Sequence, residues 1–325
     1  MALSEFELIE RYFTGHDRSE GISLGVGDDC ALLTVPEGRE LAVTTDSLCE
    51  DVHFFKNTEP YLLGYKTLAV NVSDLLAMGA EPYCCTLSLI LDRADEDFLA
   101  EFARGFYACA AAAGGRERPL ALIGGNVSRG ALSFTVTAFG LVPAGRALRR
   151  SGALPGDKIF VTGTLGLPGL AVELGYGRFA EHRARFPELY RQSMLPRLYP
   201  VFAAGLRGLA GAAVDISDGL TGDLGHVLER SGTGAELEVS ALPYDPILTE
   251  LGLPWRERER LALGGGGDYQ LLFTVPEKNL GGVRELARSS GVPITQIGEI
   301  SGGHGLILKR HGVIIADSIP AYEHF

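Results

Sequence analysis

The chain has 325 residues, of which 46% are hydrophobic and 22% charged, a composition typical of a globular protein with ordinary apolar cores. Its formal net charge of −12 argues against nucleic acid as a partner, because phosphate backbones favour a basic surface. No apolar run is long enough to span a membrane, and the 5 cysteines lack the spacing of a metal site or a disulfide framework. We therefore predict a cytoplasmic protein without a membrane partner.

The first half of the chain predicts an α+β domain, because helical and strand patterns follow one another without regular alternation. Helices are expected at residues 4–13, 62–80 and 96–113. Strands are expected at residues 30–33, 41–45, 86–91, 120–123 and 132–141. Residues 146–157 are basic and then rich in glycine and proline, which indicates a domain boundary. We therefore expect domains at residues 1–145 and 150–325.

The helix expected at residues 62–80 is apolar on nearly all sides, as in a helix buried within a domain core. Thr67, Asn71 and Asp74 nevertheless form a polar stripe along one face. An ionised carboxylate that is buried without a partner costs several kcal/mol, so Asp74 should meet a cation or hydrogen-bond donors. The pattern leaves two alternatives open, a carboxylate satisfied by neighbouring protein groups or a metal ligand.

The second half of the chain predicts further strands and helices around glycine-rich turns. Strands are expected at residues 158–162, 212–216, 269–275, 295–300, 306–309 and 313–316. Residues 180–211 are expected to be mainly helical, with breaks at prolines, and further helices should end near residues 231 and 290. In the segment 217–223, Ser217 or Asp218 would suit a helix N-cap, but capping does not explain Asp215 within the preceding strand.

Aspartates recur where predicted strands or helices meet glycine, serine or threonine. They are Asp28, Asp29, Asp46, Asp74, Asp215, Asp218 and Asp268. Each alone could be a turn or capping residue, but oxygen ligands without histidine or cysteine suit Mg²⁺, and glycine-rich loops suit phosphate groups. This combination indicates phosphoryl transfer from a nucleotide. The chain lacks the P-loop, dinucleotide-binding and protein-kinase motifs, so we expect an ATP site of a different design.

Several motifs recur together with a familiar order and spacing. They occupy residues 25–29, 44–46, 53–54, 68–82, 124–130, 150–152, 214–220 and 324–325. From about residue 4 to 325 the chain resembles the thiamine-monophosphate kinase family of the aminoimidazole-ribonucleotide synthetase superfamily. The resemblance implies that ATP phosphorylates thiamine monophosphate to thiamine diphosphate by direct in-line transfer, with several Mg²⁺ ions. It also implies a homodimer with a two-domain synthetase-like fold. The N-terminal domains would pair strands into a dimeric β-barrel, and the C-terminal domain would be an α/β sandwich.

The resemblance assigns roles to individual residues, and Asp74 and Asp218 are the expected catalytic residues. The expected metal ligands are Asp29, Thr44, Thr45, Asp46, Asp74, Asn126, Asp215 and Asp218. The expected ATP contacts are Gly125, Asn126, Arg150 and Ser217. The residues expected at or near the thiamine moiety are His53, Gly267, Tyr322 and Phe325. Asp28 is an alternative ligand to Asp29, because adjacent aspartates can exchange roles.

Two positions depart from the family pattern. Asn126 stands where the family has aspartate, and its amide oxygen can still coordinate a metal although it carries no charge. Gly267 stands where the family has a glutamate expected to recognise the cationic substrate. Two alternatives therefore accompany the kinase prediction. One is an ATP-dependent enzyme of the same superfamily with another substrate, and the other is a non-catalytic nucleotide-binding regulator.

Overall fold

The computed structural model describes residues 5–16, 19–114 and 119–315, and the chain forms two compact units. The first unit comprises the chain up to Leu76 together with Ala80–Ala147. The second comprises Ala77–Gly79 and the chain from Leu148 onwards. None of the helices in the described ranges is long and apolar enough to cross a lipid bilayer.

The first unit is built on a mixed sheet and three helices within the described residues. The helices are α1 (Glu5–Phe13), α2 (Pro60–Ala77) and α3 (Glu96–Ala113). The strands are β1 (Ile22–Leu24), β2 (Leu32–Leu33), β3 (Arg39–Cys49), β4 (Glu81–Leu91), β5 (Ala121–Arg129) and β6 (Ser133–Pro143). The main sheet has the order β3-β6-β4-β5, whereas β1 and β2 form a separate pair. This sheet is open at β3 and β5, so the described part of a single chain contains no closed barrel.

One face of this sheet packs against helices through aromatic side chains. Phe134 of β6 is fully buried, and its ring lies 4.8 Å from that of Phe102 in α3 and 5.7 Å from that of Phe54. Helices α2 and α3 approach so closely that a Cβ atom at Gly64 or Gly105 would overlap a backbone carbonyl oxygen of the other helix. These two glycines therefore determine the distance between the helices.

The second unit places helices on both faces of a larger sheet. The helices are α4 (Leu167–Gly175), α5 (Phe186–Ser193), α6 (Pro200–Gly205), α7 (Leu220–Ser231), α8 (Pro246–Glu250), α9 (Trp255–Gly264) and α10 (Leu280–Ser290). The strands are β7 (Lys158–Thr162), β8 (Ala213–Asp215), β9 (Gly234–Glu238), β10 (Leu271–Val275), β11 (Ile294–Ser301), β12 (Gly305–Arg310) and β13 (Val313–Ile315). Short 3-10 segments occur at Ala180–Arg185, Val239–Ala241 and Glu277–Asn279.

The sheet of the second unit has the order β13-β12-β9-β11-β7-β10-β8 and is apolar on both faces. On one face, Val161 of β7 belongs to the same buried cluster as Leu224 of α7. On the other, the rings of Phe160 and Phe273 stack 5.7 Å apart, and Phe202 of α6 packs edge-on against Phe273. The predicted α+β content is thus confirmed in both units.

Strands β3 and β5 extend beyond their predicted ends, and this changes where the polar motifs lie. Strand β3 pairs with β6 over its whole length, from Arg39 to Cys49, so residues 44–46 lie inside the strand and not at its end. Strand β5 continues through residues 124–126 because it pairs with β4 as far as Arg129. In both cases a partner strand supplies the ladder hydrogen bonds, and this outweighs the low strand propensity of Gly and Asp.

Candidate active site

A pocket of about 420 Å³ in the first unit brings two predicted motifs together. One wall is the loop that carries Asp28 and Asp29, and another is the glycine-containing stretch of β5 that ends at Asn126. Apolar side chains, including Phe13 of α1, line the remainder. The pocket therefore combines apolar surface with oxygen-bearing and glycine-rich walls, as small-molecule sites commonly do.

The polar groups in this pocket are partly pre-oriented by neighbouring residues. The backbone N–H of Asp29 donates to Oδ1 of Asp28 at 2.9 Å, and both side chains are exposed. The amide Nδ2 of Asn126 donates to Oγ of Ser128 at 2.7 Å. This bond uses one of the two N–H donors, so the side-chain oxygen and the other N–H of Asn126 are left to contact a ligand.

Asp74 of α2 meets the middle of strand β3. The hydroxyl of Thr44 donates to its Oδ2 at 2.5 Å. Alternate residues of a strand share a face, so Asp46 lies on the same side of β3 as Thr44. Thr45 lies on the opposite side, where its hydroxyl donates to the carbonyl oxygen of Val136 at 3.0 Å. The structure thus joins Asp74 to Thr44, with Asp46 on the same side of β3 and the Thr45 hydroxyl on the other.

The other members of the α2 stripe are internal. Thr67 is 1% exposed, and Asn71 is fully buried and donates from Nδ2 to the carbonyl oxygen of Thr67 at 3.2 Å. Within the described residues, Oγ1 of Thr67 and Oδ1 of Asn71 have no hydrogen-bond partner, a situation commonly resolved by a buried water. His53, predicted near the thiamine moiety, accepts a hydrogen bond through Nδ1 from the backbone N–H of Cys49 at 3.0 Å.

In the second unit, the segment after β8 is held by backbone hydrogen bonds to the glycine-rich loop that precedes β10. Asp215, the last residue of β8, is only 3% exposed, and Ser217 and Asp218 are half-buried. The backbone N–H of Gly267 donates to the carbonyl oxygen of Ser217 at 2.7 Å, and that of Tyr269 donates to Ile216 at 2.7 Å. The structure therefore brings together the two motifs that carry the predicted residues 215–218 and 267.

Asp223, in the first turn of α7, was assigned no role from the sequence, yet it contacts this segment directly. Its Oδ2 accepts hydrogen bonds from the backbone N–H groups of Ser217 at 3.0 Å and Asp218 at 3.1 Å. Burial raises the pKa of Asp223 to about 6, although these hydrogen bonds and the charge of Arg150 act in the opposite direction. Arg150, a predicted ATP contact, thus lies within electrostatic range of this group.

Asp268 is a second buried carboxylate in this region; it belongs to the series of aspartates predicted to suit Mg²⁺, but the resemblance assigned it no role. It is 5% exposed, its Oδ1 accepts from the backbone N–H of Gly166 at 2.9 Å, and its Oδ2 has no partner among the described residues. Burial, reinforced by the charges of Asp245 and Asp223, raises its pKa to about 8. Gly267, which precedes it, has a φ of +74°, so a side chain at that position would be strained.

The raised pKa of Asp268 predicts how stability depends on pH. Between the ordinary pKa of 3.8 and about 8, the folded protein retains a proton on this group whereas the unfolded chain loses it. The free energy of unfolding therefore falls as pH rises through that range. We expect Asp268→Asn to gain about 2 kcal/mol relative to wild type between pH 5.5 and 7.5. Urea unfolding at both pH values measures this difference. A constant difference between the two proteins would contradict the assignment.

The described residues contain no preformed cluster of three or more His, Cys, Asp or Glu side chains that could hold a metal ion. This finding is compatible with Mg²⁺, which is commonly bound through one or two carboxylates together with phosphate oxygens of a substrate. The donor set near Asp74 consists of carboxylate and hydroxyl oxygens, which suits that ion. Tyr322 and Phe325 lie outside the described residues.

The two units have the fold of AIR synthase-related proteins. The family of AIR synthase-related N-terminal domains matches residues 27–142, and the family of C-terminal domains matches residues 155–311. Thiamine-monophosphate kinase of Salmonella typhimurium strain LT2 is 42% identical over 330 residues, which cover 100% of this chain and 99% of that protein. The chain therefore belongs to the thiamine-monophosphate kinase family.

Solved structures agree with this assignment. The crystal structure of thiamine-monophosphate kinase from Stenotrophomonas maltophilia K279a has 41% sequence identity and a TM-score of 0.84, and the match covers 97% of this chain and 99% of that one. The structure of AaThiL complexed with AMPPCP and TMP has 29% identity and a TM-score of 0.76, and the match covers 90% of this chain and 89% of that one.

Proposed function

We propose that this chain is a thiamine-phosphate kinase, which transfers the γ-phosphoryl group of ATP to thiamine monophosphate and releases thiamine diphosphate and ADP. The similarity to the complex with AMPPCP and TMP carries this proposal, because it joins a nucleotide analogue and a phosphorylated substrate on the same fold. A cytoplasmic location and direct in-line transfer are parts of the proposal.

In the first unit, the pocket beside β5 is proposed to receive part of the nucleotide. Gly125 and Asn126 line it and are retained as ATP contacts. A glycine-rich wall allows phosphate groups to approach the backbone closely, and the carboxylates of Asp28 and Asp29 require a cation to accompany those phosphates. The domain roles predicted for residues 1–145, ATP binding and dimerisation, belong to this proposal.

Oxygen ligands in both units are proposed to bind Mg²⁺. In the first unit they are Asp29, Thr44, Thr45, Asp46, Asp74 and Asn126. In the second unit they are Asp215 and Asp218. Bound Mg²⁺ would neutralise charge on the phosphate oxygens and orient the transferring group. The Thr45 hydroxyl lies on the opposite side of β3 from Thr44 and donates to Val136, so sharing an ion with Asp74 would require the strand to rearrange.

The remaining assignments concern ATP and the thiamine moiety. Arg150 and Ser217 are retained as ATP contacts in the second unit, and a guanidinium is well suited to phosphate oxygens. His53 and Gly267 are retained near the thiamine moiety. Because Gly267 offers no carboxylate, recognition of the cationic ring must come from other residues.

The charge at position 126 should set the Mg²⁺ requirement. An amide oxygen is a weaker ligand than a carboxylate because it contributes a dipole and no net charge. We expect Asn126→Asp to lower the Mg²⁺ concentration for half-maximal activity about five- to thirtyfold, or about 1–2 kcal/mol. A Mg²⁺ titration at saturating ATP measures this change. An unchanged or raised requirement would indicate that Asn126 contacts the nucleotide alone.

A homodimer is also proposed, in which the open sheets of two first units pair into a shared barrel. Strand β3 is at the edge of its sheet, and its Val43 is 58% exposed. An exposed edge strand with an apolar side chain is a surface that another strand can cover.

The dimer proposal predicts the effect of a charge on this strand. We expect the wild-type chain to have twice the mass of one chain in light scattering, and Val43→Asp to shift it toward the monomer, because burying an unpaired charge is unfavourable. Val201→Asp is the matched control, since Val201 of the second unit is 69% exposed. A monomeric wild type, or equal effects of both variants, would refute this arrangement.

The function itself is tested by ADP formation against a panel of phosphorylated vitamins and ribonucleotides. We expect turnover of ATP that depends on thiamine monophosphate. Turnover with a different compound would support the alternative of a superfamily enzyme with another substrate. ATP binding without turnover of any compound would support a non-catalytic regulator.

A further inference from the structure

Asp223 lies in the first turn of α7, with its carboxylate turned back toward the segment that precedes the helix. A single oxygen, Oδ2, accepts from two successive backbone N–H groups, those of Ser217 and Asp218. The residue is 2% exposed, so the carboxylate has lost most of its hydration and depends on these donors. Two donors on one oxygen hold both peptide groups in a defined orientation.

The same segment is fixed from its other side by backbone contacts. The carbonyl oxygen of Ser217 accepts from Gly267 at 2.7 Å, and the carbonyl oxygen of Gly219 accepts from the backbone N–H of Asp223 at 3.0 Å. Gly219 has a φ of +117°, and a Cβ atom there would lie 2.9 Å from Cα of Gly264. The backbone of residues 217–219 is therefore constrained at its amides, its carbonyls and its turn.

This arrangement has a consequence for the kind of ligand that the segment can take. Successive free backbone N–H groups in a turn commonly bind phosphate or another anion. Here an internal carboxylate already occupies the N–H groups of Ser217 and Asp218, so these residues have side-chain oxygens left to offer. With the buried carboxylate of Asp215 two residues upstream of Ser217, these side-chain oxygens suit a cation.

We propose that Asp223 is a positioning residue, which holds the backbone of Ser217 and Asp218 so that the Asp218 carboxylate is set for binding a divalent cation. Asp223 itself does not contact the cation. The inference rests on the proposed function, in which Asp218 is a Mg²⁺ ligand. It gives a role to a carboxylate that lies at a buried position, where ionisation is unfavourable.

The test measures Mn²⁺ binding to the full chain by electron paramagnetic resonance of the free ion. Asp223→Asn keeps an oxygen acceptor at the same reach, whereas Asp223→Ala removes it. We expect the alanine variant to bind Mn²⁺ about tenfold more weakly, within the range seen when residues supporting a metal ligand are lost, and the asparagine variant to recover most of this loss. Each variant is also combined with Asp218→Asn. In that background, Asp223→Ala should change the Mn²⁺ affinity by less than about twofold, because the two residues act on the same ion.

Three results would overturn the inference. The first is wild-type Mn²⁺ affinity in Asp223→Ala. The second is that Asp223→Asn weakens Mn²⁺ binding as much as Asp223→Ala does, which would indicate that the charge itself binds the ion. The third is that the effects of Asp223→Ala and Asp218→Asn on Mn²⁺ affinity add fully in the double variant. If Asp223→Ala does not fold, Asp223→Glu replaces it, because the longer side chain cannot keep the same geometry. Wild-type affinity in Asp223→Glu would then overturn the inference. Unchanged Mn²⁺ binding in Asp218→Asn alone would instead refute the metal assignment in the proposed function.

Discussion

Asp74→Asn is expected to lower kcat for thiamine monophosphate phosphorylation about 10²- to 10³-fold, or about 3–4 kcal/mol in the barrier. The change removes a negative charge and keeps the shape of the side chain. The hydroxyl of Thr44, which lies 2.5 Å from Oδ2, can still hydrogen-bond to the amide, so the fold should persist. Steady-state kinetics and thermal unfolding, measured on the same preparation, separate these effects.

The matched control for this variant is Asp92→Asn, an equivalent change at an exposed position of the first unit. It should leave kcat within about twofold of wild type, because surface substitutions away from a site have small effects. Turnover of Asp74→Asn within about tenfold of wild type would contradict a role in metal binding. A lower melting temperature with unchanged kcat would show that Asp74 is a structural partner of Thr44 and nothing more.

The second large effect is expected on stability, at the crossing of α2 and α3. Replacing a glycine by alanine within a helix ordinarily stabilises it by up to about 1 kcal/mol. At Gly105 the sign should reverse, because the new Cβ atom would overlap the carbonyl oxygen of Tyr61 and force the helices apart. We expect Gly105→Ala to destabilise the first unit by about 2–3 kcal/mol, which lowers its Tm by about 5–10 °C.

Gly225→Ala is the control, because Gly225 is also helical and a Cβ atom there would meet no atom within 4 Å. It should raise the Tm of the second unit slightly, or leave it unchanged. Differential scanning calorimetry of the full chain resolves the direction of each change. A neutral or stabilising Gly105→Ala would contradict the close packing of the two helices.

Local patterns predicted the helices of the first unit well. The helix expected at residues 62–80 occupies Pro60–Ala77, and the one expected at 96–113 occupies Glu96–Ala113. Their boundaries follow from signals within a few residues, such as Asp95, which caps α3 by accepting from the backbone N–H of Phe98. Such signals are readable because donor and acceptor are neighbours in the chain.

The strand boundaries were less predictable because they depend on distant partners. Residues 44–46 read as a polar strand end, yet pairing with β6 extends β3 to Cys49. Strand β9 was not anticipated at all, and its five residues are paired with β11 and β12, whose residues lie more than 50 positions away. A short strand of this kind has too little periodicity to be recognised alone.

The candidate site shows the same limit. The resemblance supplied residues that follow recognisable motifs, such as Asp215 and Asp218. It did not supply Asp223 or Asp268, whose importance lies in backbone groups that they contact, at Ser217 and Gly166 respectively. The sequence offered one signal for Asp223, its position five residues after the candidate N-cap Asp218. An acidic residue in the first turn of a helix is common, so this position alone did not indicate a contact with the preceding segment.

The most direct test of the proposed activity follows the labelled γ-phosphoryl group of ATP when wild-type chain is incubated with thiamine monophosphate and Mg²⁺. Mass spectrometry of the products should show the label in the terminal phosphate of thiamine diphosphate, in amounts equal to the ADP formed, and none on the protein. Label recovered only as inorganic phosphate, or bound covalently to the protein, would contradict direct transfer to thiamine monophosphate.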